Sequence, residues 1–126
     1  MHILLIEPDS VLANLYIQAL EAAAHTVSYV RTAEAAIRIA DRKKPDVVVL
    51  ELQLVQHSGV AFLQEFRSYA VWSAIPVILH TLIPPTKLQL FQGALLEMGV
   101  YAQLYKPQTS LRQLVRAIDD CVPIAS

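Results

Sequence analysis

The chain has 126 residues, of which 55% are apolar and 17% charged, with a formal net charge of −1. That length fits one ordinary domain with a proper core, and that composition excludes an intrinsically disordered chain. Near-neutral charge provides no field to draw the chain to nucleic acid or an anionic membrane.

Ile3-Leu4-Leu5-Ile6 is a short branched run ended by Glu7-Pro8, and reads as a buried strand. Asp9 and Ser10 offer N-caps to a first helix, with Val11, Leu12, Leu15, Tyr16, Ala19, Leu20 and Ala23 as its apolar face. Thr26 to Val30 is a weak second strand. Thr32 caps a second helix, with Ala33, Ala36, Ile37 and Ala40 inside and a Glu34–Arg38 pair outside. Arg42-Lys43-Lys44 closes it as a solvated C-terminus complementing the helix dipole. Val47 to Leu50 is the strongest strand.

Ser58-Gly59 leads into a third helix with Phe62, Leu63 and Phe66 inside, and Tyr69 and Trp72 packing its end. Pro76 to Leu79 is a fourth strand. After the Pro84-Pro85 break, Thr86 to Met98 predicts a fourth helix carrying Leu88, Leu90, Phe91 and Leu95 inward, ended by Gly99. Val100 to Tyr105 is a fifth strand. Ser110 caps a last helix with Leu111, Leu114, Val115 and Ile118 inside. Cys121 is the only cysteine, so no internal disulfide forms, and a reducing cytoplasm is the expected compartment. No apolar run is long enough to span a bilayer, and the start of the chain lacks the charge pattern of a signal peptide.

Strands alternating with helices predict a single-domain α/β fold, a doubly wound parallel sheet covered on both faces. The domain is expected over 1–122, with a short tail at 123–126. Sites in such folds form at the carboxyl ends of the strands. Those ends carry Glu7, Pro8 and Asp9; Glu51; Thr81; and Lys106-Pro107.

The order acid cluster, acid, Thr, Lys-Pro resembles the response-regulator receiver family of two-component signalling. The matching stretches are Ile3 to Asp9, Pro45 to Glu51, Gly59, Ile75 to Ile78 with Thr81, and Lys106-Pro107. The resemblance implies the flavodoxin-like strand order 2-1-3-4-5. It also implies a phosphoacceptor aspartate after the third strand, Mg²⁺ held by that aspartate and an acid pair after the first strand, and Thr and Lys on the phosphoryl oxygens.

This chain departs from the pattern where the chemistry sits. Glu51 stands at the acceptor position, and its extra methylene moves the carboxylate about 1.5 Å, which in-line attack tolerates poorly. Pro8 replaces the second acid and supplies neither carboxylate nor N–H. Asp9 is either an N-cap or a third acid of the pocket. Leu82 follows Thr81 where the family favours a small residue, and Gln103 stands at the aromatic-switch position. The segment from Thr81 to Lys106 is about three residues longer than the family's usual length. Lys106 is read either as a phosphoryl contact or as a static salt bridge to Glu51 and Glu7, and Thr81 either as a phosphoryl contact or as bonded to backbone. His57 and His80 flank the site, in solvent-facing or core roles.

The expected function is therefore a pseudo-receiver: not an enzyme, without a cofactor, with Glu7, Asp9 and Glu51 at most a weak Mg²⁺ site. It binds a protein partner, a histidine kinase or a downstream signalling protein, and is a monomer or weak homodimer. The alternative is a phosphorylatable regulator using Glu51 or Asp9. A flavin or nucleotide site is disfavoured, because Glu7-Pro8-Asp9 offers negative charge where such sites place Gly or hydroxyls. The expected interface is the fourth helix, fifth strand and last helix, with Arg112, Arg116, Asp119 and Asp120 outermost.

Overall fold

The computed structural model describes residues 1–54 and 58–121. The strands are β1 (His2–Ile6), β2 (Thr26–Val30), β3 (Val47–Leu50), β4 (Val77–Thr81) and β5 (Val100–Tyr105). They form one parallel sheet in the order β2-β1-β3-β4-β5, as expected. The helices are α1 (Ser10–Ala22), α2 (Ala33–Arg42), α3 (Gly59–Ser68), α4 (Pro85–Leu88), α5 (Gln92–Glu97) and α6 (Leu111–Asp120).

Alternation along each strand divides the core into two layers. Leu4, Ile6, Val48, Leu50, Val77 and Leu79 pack with α2, α3 and the α4–α5 segment. Ile3, Leu5, Val47, Val49 and Ile78 pack with α1 and α6. Each fully buried branched side chain contributes about 1.5–3 kcal/mol relative to exposure, so these central strands define the register. Trp72 is buried and stacks on Phe66 at 5.0 Å between ring centroids, while Tyr69 is half exposed beside it.

Three expectations about facing residues and one about the extent of a helix are corrected. The inner stripe of α1 is Ala13, Tyr16 and Leu20, and Val11 and Leu15 are exposed: an apolar list of seven residues is wider than the side that meets the sheet. Leu111 lies in the first turn of α6, outside the stripe formed by Leu114 and Ile118. The expected single helix over 86–98 is split, with a 3₁₀ turn at Gln89–Phe91 joining α4 to α5. Pro84 and Pro85 start this segment and Gly93 weakens its middle, so helix propensity does not carry it through. The tighter 3₁₀ turn rotates Phe91 off the buried stripe of Leu88 and Leu95, and Leu90 and Phe91 are exposed. The β4–β5 ladder pairs Val77 with Val100 and Ile78 with Ala102, so Tyr101 is an extra residue on the edge strand.

His57 and the expected tail at 123–126 lie outside the described residues. No helix among the described residues is long and apolar enough to cross a membrane.

Candidate functional site

The carboxyl ends of β1, β3, β4 and β5 bring Glu7, Glu51, Thr81 and Lys106 together. Glu7 and Glu51 are 2% exposed and Thr81 is fully buried. Two buried carboxylates require compensation, and the chain provides it. Lys106 Nζ lies 2.5 Å from Glu7 Oε1 and 2.9 Å from Glu51 Oε1, with its own side chain 5% exposed.

Glu51 accepts four hydrogen bonds. Oε1 takes Lys106 Nζ and the Leu82 N–H, the latter at 3.0 Å. Oε2 takes the Thr81 hydroxyl and the Gln53 N–H, the latter at 3.1 Å. A carboxylate presents about four lone-pair positions, and all of them are engaged. Burial alone would raise the Glu51 pKa, but hydrogen bonds from Thr81, Lys106 and Gln53 outweigh it and hold the carboxyl below its ordinary value. Burial works against the Lys106 charge as well, and hydrogen bonds to Glu7 and Glu51 raise its pKa in spite of it. The ammonium among the acids thus offsets the repulsion that two neighbouring buried carboxylates would otherwise exert on each other.

Thr81 serves both sides of the site. Its hydroxyl donates to Glu51 and its oxygen accepts the Ile83 N–H at 3.1 Å, which fixes the turn after β4. Asp9 is an N-cap: Oδ1 accepts the Val11 and Leu12 N–H groups, each at 3.0 Å, and the side chain is exposed. The Asp9 N–H, in turn, donates to Glu7 Oε2 at 3.0 Å. Beneath the site, His80 is 3% exposed and edge-on to Tyr16. Burial and, after it, Lys106 lower its pKa to about 4, so the imidazole is neutral at pH 7.

Gln103 is half buried on β5 and its amide donates to Gln92 of α5 at 3.3 Å. Arg112, Arg116, Asp119 and Asp120 are exposed on α6. One of them is not free for a partner: Asp119 Oδ1 lies 2.7 Å from His25 Nε2, so its carboxylate ties α6 to the turn before β2.

Sequence reasoning missed two kinds of group. The Leu82 and Gln53 N–H donors carry no side-chain signature, because any non-proline residue has them. Arg67 lies in no sequence motif, and its guanidinium donates to the carbonyls of Met98, Trp72, Ile75 and Gly99 at 2.6–3.2 Å. Gly99, at φ +73°, sits against this guanidinium, where a Cβ would lie 2.8 Å from Nη2.

The Mg²⁺ that the resemblance implies does not fit this donor set. Mg²⁺ needs close to octahedral oxygen coordination. Here Pro8 offers no carboxylate, Oδ1 of Asp9 is engaged by the start of α1, Glu51 has no free lone pair, and an ammonium stands between Glu7 and Glu51. Among the described residues, no group of three or more His, Cys, Asp or Glu side chains is placed to hold a metal.

The family model described as the response regulator receiver domain matches residues 3–119. Over 77 residues the chain is 30% identical to the KDP operon transcriptional regulatory protein KdpE of Escherichia coli (strain K12), which is 61% of this chain and 33% of that protein. The chain thus spans about a third of the length of the curated relative it matches. A sensor protein from Polaromonas sp. JS666 superposes with a TM-score of 0.86 at 19% identity, over 94% of this chain and 93% of that one. The non-phosphorylated HemR receiver domain from Leptospira biflexa gives 0.84 at 21% identity, over 99% and 96%. At these identities the structural likeness shows the fold.

Proposed function

The chain belongs to the response regulator receiver domain family of two-component signalling, and from that premise we propose that it is a pseudo-receiver that works by binding a protein. In this reading it undergoes little or no conventional phosphorylation and carries no catalytic residue. The observation that carries the proposal is the state of Glu51. The group at the acceptor position is a glutamate, and all of its carboxylate lone pairs are engaged by Thr81, Leu82, Gln53 and Lys106. A nucleophilic oxygen must release a donor before it can attack, and both oxygens of Glu51 are held by two donors each.

The same contacts support a further role for the carboxylate. Thr81 and Lys106, the two side chains that the family turns towards a phosphoryl group, are here turned towards Glu51. The chain thus holds one conformation with its own carboxylate, and is read by a histidine kinase or a downstream signalling protein rather than switched. The proposed contact surface is α4, α5, β5 and α6, where Leu90, Phe91, Leu96 and Tyr101 are exposed, as are Arg112, Arg116 and Asp120. A cytoplasmic monomer or weak homodimer fits this role.

Incubation with a small acyl-phosphate donor and Mg²⁺, followed by intact-mass measurement, tests the proposal. The expected spectrum shows the unmodified mass only. A phosphoryl adduct that maps to Glu51 or Asp9 would establish the phosphorylatable alternative.

A further inference from the structure

Glu7 follows β1 and Glu51 follows β3, and these strands are neighbours in the sheet. Side by side and almost fully buried, two carboxylates demand a cation between them. In this chain the cation is covalent. Lys106, at the end of β5, crosses the ends of β4 and β3, and its ammonium bridges Glu51 Oε1 at 2.9 Å and Glu7 Oε1 at 2.5 Å. Every carboxylate oxygen of the pair already has a donor: Glu7 Oε2 takes the Asp9 N–H, and Glu51 Oε2 takes Thr81 and Gln53.

We infer that Lys106 is the resident cation of this site: its ammonium stands between Glu7 and Glu51 and supplies the positive charge that the two carboxylates require, so the site is independent of metal. The inference deepens the proposed function and rests on it in treating Glu51 as a permanent partner of Lys106 rather than as an acceptor. It explains how a pocket lacking the second acid at Pro8 remains closed. Two carboxylates and one ammonium are a poor Mg²⁺ shell but a good lysine cage, since three N–H donors satisfy two acids without octahedral demands. It also makes the conformation insensitive to Mg²⁺, because the ends of β1, β3 and β5 are cross-linked by one side chain whatever the ionic conditions.

The consequence runs in one direction. Removal of the ammonium leaves two facing buried carboxylates, and these then recruit a divalent ion. The test is Mn²⁺ titration followed by electron paramagnetic resonance on the wild type, Lys106→Ala and Lys106→Gln, with thermal melts in the presence and absence of millimolar Mg²⁺. The alanine variant opens space for a hydrated ion, and the glutamine variant keeps most of the stem and a neutral donor.

The wild type is expected to show no saturable Mn²⁺ site and no melting shift with Mg²⁺. Lys106→Ala is expected to bind Mn²⁺ at least about tenfold more tightly than the wild type and to melt higher with Mg²⁺, with Lys106→Gln in between. If both variants are unfolded without metal, recovery of the native circular dichroism spectrum on adding Mg²⁺ supports the inference, and failure to recover overturns it. Saturable Mn²⁺ binding by the wild type, or two folded variants that bind no better than it does, also overturns it. A phosphoryl adduct on the wild type would sink the proposed function without altering any of these metal readings, so the two failures are distinguishable.

Discussion

His80 stands edge-on to Tyr16, with ring centroids 4.8 Å apart and planes 78° from parallel. It sits one residue before Thr81, on the α1 face of the sheet, with Tyr16 from α1 beside it and Lys106 and Glu51 as the nearest charges. Burial makes its folded pKa about 4 against an ordinary 6.5. The unfolded chain therefore takes up a proton first as the pH falls, and stability declines from about pH 6.5 towards pH 4 by up to about 1.4 kcal/mol per unit. Glu51 acts in a lower window: its folded pKa is depressed, so its contribution is lost only below the ordinary carboxylate value. Urea unfolding at pH 7 and pH 5 brackets this window, which His2 shares because burial lowers its pKa as well, and a His80 variant separates the two. The wild type should lose about 2 kcal/mol between the two pH values, and His80→Leu distinctly less. Equal losses would show that His80 is not the group responsible.

Glu51 and Lys106 should be strongly coupled. Glu51→Ala leaves the Thr81 hydroxyl and the Leu82 and Gln53 N–H groups without their acceptor, and leaves Lys106 with Glu7 alone. A loss of about 3–5 kcal/mol is expected. Lys106→Met should cost a comparable amount by leaving the two acids face to face. The double variant should be more stable than the sum of the single losses implies, by at least about 1 kcal/mol in a denaturant double-mutant cycle. Additive losses would mean that the ion pair is not a unit.

How much of this was legible in the sequence depends on which groups carry the information. Val47 to Leu50 announced a central strand because only a strand covered on both faces is apolar at every position. Glu7, Glu51, Thr81 and Lys106 could be brought to one place because strand ends converge in a parallel sheet. Asp9 was ambiguous between cap and pocket, and the cap role is the one the structure displays, with two N–H groups at the start of α1 on its Oδ1. The split at Gln89–Phe91 was hidden because the residues there are compatible with a helix, and only their packing on the sheet selects the tighter turn. The saturation of Glu51 was hidden too, since half of its donors are backbone N–H groups.

Arg67 should be the most sensitive charged residue outside the site. Its guanidinium is half buried, lies 5.6 Å from the Phe66 ring centre, and holds the segment before β4 to the turn before β5 through carbonyls alone. Burial without a carboxylate lowers its pKa, yet it stays charged at neutral pH. Arg67→Ala removes several charge-assisted hydrogen bonds at once and should cost about 3 kcal/mol or more in urea unfolding. Arg67→Lys should recover less than half of that, because a point charge cannot span carbonyls spaced for a planar fork. Full recovery by lysine would show that charge, rather than the fork, is what matters.

Charge reversal on α6 tests the proposed contact surface. Arg112 and Arg116 are exposed and one helical turn apart on α6, while the inner stripe of that helix is Leu114 and Ile118. Neither arginine is in an ion pair among the described residues, whereas Asp119 is committed to His25. Their charges are therefore available to a partner. The double substitution Arg112→Glu and Arg116→Glu reverses two charges without touching the core, so unfolding free energy should change by no more than about 0.5 kcal/mol per site. Introduced next to Asp119 and Asp120, the new acids convert a mixed face into a uniformly negative one. Opposed rim charges chiefly slow association, so binding to an acidic partner surface should weaken about tenfold or more at moderate salt, and the deficit should shrink as salt is raised. The measurement is biolayer interferometry against the cognate kinase or downstream protein at two ionic strengths. If the double variant keeps the parent's association rate at both, the recognition surface does not include this side of α6, and attention shifts to the exposed Leu90 and Phe91 on the far side of β5.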